Sequence, residues 1–84
     1  MRQTVRIDLD DDVLLGLQQT PEEMAAEIRV AAAAKLYEMG RISQGKAAQL
    51  AGLSRAAFLE ALGRYGVSPF QESPEEVLDA IEGL

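Results

Sequence analysis

The sequence predicts a mainly α-helical fold with one N-terminal strand, the strand being completed as an intermolecular ribbon by a second copy of the chain. Three patterns predict it. Residues 4–9 alternate strictly between polar and apolar, Thr20-Pro21-Glu22-Glu23 opens a long alanine-rich stretch, and residues 44–62 carry helix-turn-helix spacing.

In the first pattern Val5, Ile7 and Leu9 share one face and Thr4, Arg6 and Asp8 the other, as in a half-buried strand. No other stretch alternates as well, because residues 67–71 are short and broken by Pro69. A lone strand leaves its backbone N–H and C=O groups unpaired. The expected partner is the same strand of another copy, antiparallel across a two-fold axis. Asp10-Asp11-Asp12 then suits a helix start, where acids cap free N–H groups and meet the positive end of the macrodipole. Val13, Leu14, Leu15 and Leu17 make that helix short and apolar, with Gly16 limiting its length.

Thr20-Pro21-Glu22-Glu23 reads as a capping box with proline at the first helical position, and the long central helix should run to Met39 and stop at Gly40. Met24, Ala25, Ile28, Ala31, Ala32, Leu36 and Met39 form one broad apolar face, expected to pack on its own chain. Val30, Ala34 and Tyr37 form a second patch on roughly the opposite side, expected against a dimer mate. The predicted dimer contacts are therefore Val5, Ile7, Leu9, Val30 and Ala34.

The third pattern gives each residue a physical task. Ala48 lets two helices cross closely, Gly52 takes a left-handed turn, Leu53 plugs the corner, and Ser54 caps the second helix. Phe58, Ala61, Leu62 and Tyr65 seat that helix on the core. Its outward face holds Ala56, Leu59, Glu60, Gly63 and Arg64, with Arg55 at its start. Arginine is the side chain a major-groove reader wants, but the remaining positions offer little base readout. The outward residues of the ribbon, Arg2, Thr4, Arg6 and Asp8, are a competing reader, with Asp8 and the acids after it counting against that role. Beyond Gly66, Pro69 marks an extended connector, and Ser73-Pro74-Glu75-Glu76 opens a short C-terminal helix with Val77, Leu78 and Ile81 on one face. That helix either docks on the body or folds onto a partner. The chain thus divides into a strand-helix-helix dimerisation segment (1–40), a helix-turn-helix (41–65), and an acidic connector with the last helix (66–84).

Composition narrows the chemistry. At 84 residues, 48% hydrophobic and 26% charged, the chain suits one small globular domain whose core is completed by self-association. It has no cysteine and no histidine, so thiolate or imidazole metal sites, disulfides and nucleophile–histidine pairs are excluded. No cofactor, no metal and no enzymatic activity are expected. No apolar run is long enough to span a membrane and residues 1–12 lack a signal-peptide core, which predicts a cytoplasmic protein. The net charge of −6 is unevenly spread: −4 over residues 1–40, +3 over residues 41–65, and −5 over residues 66–84. A basic middle between acidic ends suits one anionic partner and a separate one that tolerates acid.

Gly40-Arg41-Ile42-Ser43, running on through Gly45-Lys46-Ala47-Ala48-Gln49-Leu50-Ala51-Gly52-Leu53-Ser54-Arg55 to Phe58-Leu59, resembles a family of small uncharacterised prokaryotic proteins described as predicted antitoxins with a helix-turn-helix. The resemblance implies a type II antitoxin: a homodimer that binds its own promoter DNA and neutralises a partner ribonuclease of the PIN-domain class. It places Lys46, Ser54 and Arg55 in the DNA-facing motif and Val77, Leu78 and Ile81 in the toxin-binding tail. Arg64 and Arg6 join the DNA-binding candidates from their outward positions. Ala56-Ala57 departs from the larger or charged residues expected there. The alternative function is a protein-interaction adaptor of the same fold without DNA binding.

Overall fold

The computed structural model describes residues 1–70, which form four helices: α1 (Asp11–Leu17), α2 (Pro21–Glu38), α3 (Gln44–Ala51) and α4 (Arg55–Arg64). The mainly helical expectation holds. Helix boundaries follow short-range chemistry. At the head of α2 the Thr20 hydroxyl accepts from the Glu23 N–H (3.1 Å), and the Glu23 carboxylate accepts from the Thr20 N–H (2.9 Å). Both donors would otherwise be orphaned at a helix start. Ser43 and Ser54 cap α3 and α4 in the same way, accepting from the N–H groups of Lys46 and Ala57. Asp10 occupies the N-cap of α1, but its side chain makes no capping hydrogen bond.

The core lies where α2, α3 and α4 meet. It consists of Ala33, Ala34 and Tyr37 from α2, Ala47, Ala48 and Ala51 from α3, Phe58 and Leu62 from α4, and Val67 beyond it. Val30, Ile42 and Leu53 pack around this set. Alanines on both α2 and α3 let the two backbones approach, while Tyr37 and Phe58 fill the remaining space edge to face, with ring centroids 6.2 Å apart at 77°. Gly66 turns left-handed after α4, so the Val67 N–H bonds the Leu62 carbonyl (2.9 Å) and its side chain folds back into the core.

Several expectations are corrected. No strand forms among the described residues, and residues 1–10 have no regular secondary structure. One chain supplies no second strand to accept or donate the ladder hydrogen bonds, so alternation by itself does not make a sheet. The faces of α2 are exchanged. Val30 and Ala34 pack inside their own chain, whereas Met24, Ile28 and Leu36 are only half-buried and Met39 is exposed. The smaller face is the inner one because only it admits α3 at close range. Tyr65 is exposed, because α4 ends at Arg64 and the helical period does not carry past it. Residues of α2, α3 and α4 share one core, and Val67 packs with them. The C-terminal helix, with Val77, Leu78 and Ile81, lies outside the described residues.

Candidate functional site

The turn between α3 and α4 is built from Gly52, Leu53 and Ser54. Gly52 has φ +73°, a conformation L side chains rarely adopt, and it carries the chain between the helices. A second constraint comes from Arg29 on α2. Its Nε donates to the Leu50 carbonyl (2.8 Å) and a terminal nitrogen to the Gln49 carbonyl (3.5 Å), satisfying the open end of α3. The guanidinium thereby lies over Gly52, where an added Cβ would stand 3.3 Å from its carbon and both terminal nitrogens. Arg29 fixes the turn from outside it.

At the other end of α3 a chain of hydrogen bonds positions Arg55, the first residue of α4. The Arg55 Nε donates to the Gln44 side-chain carbonyl (2.8 Å). The Gln44 amide nitrogen donates in turn to the Tyr37 hydroxyl oxygen (3.3 Å) and the Pro69 carbonyl (3.2 Å). The Tyr37 hydroxyl donates to that same Pro69 carbonyl (2.8 Å). Gln44 thus orients Arg55 while Tyr37 and the backbone at Pro69 orient Gln44. Arg55 uses only Nε in these bonds, which leaves the terminal fork of a guanidinium to face an anion.

The other sequence-derived candidates do not form one cluster. Lys46 is exposed in the first turn of α3, about 200° around the helix from Gln44 at 100° per residue. Arg64 is exposed at the far end of α4, about 13 Å of helix rise from Arg55. The side chains of Arg41, Lys46 and Arg64 make no hydrogen bond or ion pair among the described residues, whereas Arg6 is paired with Asp8 (3.2 Å). The Ser54 hydroxyl is occupied as a cap. Ala56, Leu59, Glu60 and Gly63 are exposed, so the outward face of α4 is as expected. Val5, Ile7 and Leu9 are also exposed, Val30 is half-buried against the core of its own chain, and Ala34 is buried in it.

Gln44 and Arg29 are not visible as positioning residues in the sequence. Their partners lie 7 to 25 residues away, and three of the five are backbone carbonyls, which no local pattern encodes. A lone arginine between Ile28 and Val30 of an alanine-rich helix is the available signal for Arg29. Among the described residues no group of acids is placed to hold a metal ion, and no helix is long and apolar enough to cross a membrane.

The chain matches the family described as uncharacterised protein family UPF0175 over residues 1–84. A UPF0175 protein of Aeropyrum pernix is 42% identical over 67 residues, covering 80% of this chain and 74% of that protein. No solved structure matches the chain. A family match over every residue, together with a relative of this identity, establishes that the chain belongs to UPF0175.

Proposed function

We propose that the chain is a type II antitoxin: a cytoplasmic homodimer that binds its own promoter through the α3–turn–α4 unit and neutralises a partner ribonuclease of the PIN-domain class. The observation that carries the DNA-binding reading is the positioned Arg55. Its guanidinium is fixed by Gln44 at the head of α4, while Lys46 is exposed on a different side of α3. Arg41 and Arg64 add charge to the only segment of the chain with a basic balance. With four cations per copy, affinity would come mainly from phosphate contacts. The toxin-binding role is carried by the acidic C-terminal segment with Val77, Leu78 and Ile81, whose charge would repel DNA and leave it for a second partner.

The test is titration of the chain against its own promoter fragment at several salt concentrations. Arg55→Ala together with Lys46→Ala should flatten the log–log salt slope by roughly 0.9 for each phosphate no longer neutralised. Gln44→Ala removes no charge and should weaken binding while leaving the slope nearly intact. A chain ending at Phe70 keeps the core formed by the described residues, so it should still bind DNA yet fail to inhibit the nuclease. Promoter affinity unchanged in the double variant overturns the DNA reading. One observation favours the adaptor reading: Leu50 and Leu59 are exposed on α3 and α4, Leu59 among Ala56 and Gly63, a surface better suited to a protein than to base edges. Binding of the nuclease without any promoter binding would select it.

A further inference from the structure

Among the described residues, six of the eight exposed valine, isoleucine and leucine side chains sit in the first 17 residues. Val5, Ile7, Leu9, Val13, Leu15 and Leu17 are all exposed, Val5 by 83% and Leu15 by 78%. A surface of this kind on a lone chain marks a contact site. Its occupant is specified by charge and symmetry. The Arg6 Nε and Asp8 Oδ1 meet at 3.2 Å with both side chains more than four-fifths exposed. Residues two apart meet in this way on one side of extended backbone, and Asp10 is itself extended at φ −67°, ψ 145°. On extended backbone the alternation of residues 4–9 would give a polar edge and an apolar edge.

We infer that this segment pairs with itself in a second copy, as an antiparallel ribbon whose two-fold axis passes through Ile7. The inference rests on the dimeric part of the proposed function and names the surface it uses. With the axis at Ile7, Val5 lies opposite Leu9 twice, Ile7 opposite Ile7, and Arg6 opposite the partner's Asp8 twice. Every neighbouring register is worse. An axis at Arg6 sets arginine against arginine, and one at Asp8 sets aspartate against aspartate. An axis at Val5 leaves Ile7 facing Gln3, and any axis between residues sets apolar side chains against polar ones. Only the Ile7 axis joins all three apolar residues and both charges favourably. A two-stranded ribbon needs an apolar surface beneath it, and Val13, Leu15 and Leu17 of α1 follow directly in each copy.

This register also decides what the outer face of the ribbon is suited to. Arg2, Thr4, Arg6, Asp8 and Asp10 carry two cations and two anions per copy, and Arg6 is neutralised across the seam. A face with no net positive charge attracts phosphate weakly. The ribbon is a dimer seam, and DNA contact falls to α3 and α4.

The chain contains no cysteine, so one introduced thiol is a unique probe. Opposed residues of an antiparallel pair stand about 4.5–5.5 Å apart at Cα, within the disulfide range, while the two copies of Val5 would be about 13 Å apart. Under a mild oxidant the full-length Ile7→Cys chain should form a disulfide dimer. Val5→Cys and Leu9→Cys should each stay unlinked alone, and an equal mixture should give only the mixed dimer. Val5→Cys linking to itself as readily as Ile7→Cys, or Ile7→Cys failing to link, overturns the register. In sedimentation, Arg6→Asp and Asp8→Arg should each weaken self-association about tenfold, and the double exchange should restore it. No restoration also overturns it. Neither measurement uses DNA or nuclease. Failure here with promoter binding intact discards the ribbon alone, and linked dimers that ignore the promoter discard the DNA reading alone.

Discussion

Residues 1–20 and residues 30–67 are both rich in apolar side chains, yet they meet opposite fates. The first region holds Val5, Ile7, Leu9, Val13, Leu14, Leu15 and Leu17 and buries none of them. The second buries six alanines together with Tyr37, Phe58, Leu62 and Val67. Aliphatic side chains as large as leucine stay exposed in the first region, while most of the residues buried in the second are alanines. Burial here follows the presence of a neighbour of matching shape, because a side chain gains from leaving water only where other atoms close around it. Alanine faces on α2 and α3 provide that match within one chain. The N-terminal leucines lack it there.

The contrast can be broken most severely from the body. Phe58→Ala removes the ring that fills the core against Tyr37 and should cost about 3–5 kcal/mol, lowering the urea midpoint steeply. A loss below about 1 kcal/mol would mean the core is not closed around that ring. Gly52→Ala imposes the left-handed penalty and crowds Arg29, and should cost about 1–2 kcal/mol. A stability equal to the parent would show that the turn relaxes. Tyr37→Phe keeps the ring but removes the hydroxyl that binds Pro69, for about 1 kcal/mol. Amide exchange after Gly66 should accelerate while α2 stays protected. The smallest effect belongs to the arm. At dilutions where copies separate, Leu15→Ser with Leu17→Ser should change body stability by no more than about 0.5 kcal/mol, measured by chemical denaturation. A loss like that of Phe58→Ala would erase the distinction between the two regions.

The same contrast separates what is legible in the sequence from what is not. Thr20, Gly40, Ser54 and Gly52 are readable because caps and turns are made by residues within a few positions of one another. The inner face of α2 is not. Both faces are apolar, and hydrophobicity alone favours the side with Met24, Ile28 and Leu36, whereas packing selects Val30, Ala33, Ala34 and Tyr37 for closeness. Val67 reads as part of a connector, although a left-handed glycine followed by an aliphatic residue is a recognisable helix ending in which the chain folds back. The alternation of residues 4–9 is a genuine pattern but not an element of one chain, since a strand exists only as half of a pair. At the site, Arg55 and Lys46 are legible by type and position. Gln44 and Arg29, which arrange the two ends of α3, depend on contacts between elements.

Position 52 has a consequence for the routes by which such a sequence can change. Two vetoes of different kinds fall on one residue: backbone handedness, and the guanidinium lying over it. Asparagine, which tolerates φ above zero, would ease the first and still press on the guanidinium, which would have to give by a few tenths of an ångström. Loss of Arg29 would lift the second, yet it would expose the Leu50 carbonyl and leave the first in force. Arg29→Ala followed by Gly52→Asn should therefore cost less than the two changes measured separately, whereas the reverse order passes through the crowded form. Glycine at the turn and arginine 23 positions earlier form one unit of inheritance, although nothing along the chain connects them.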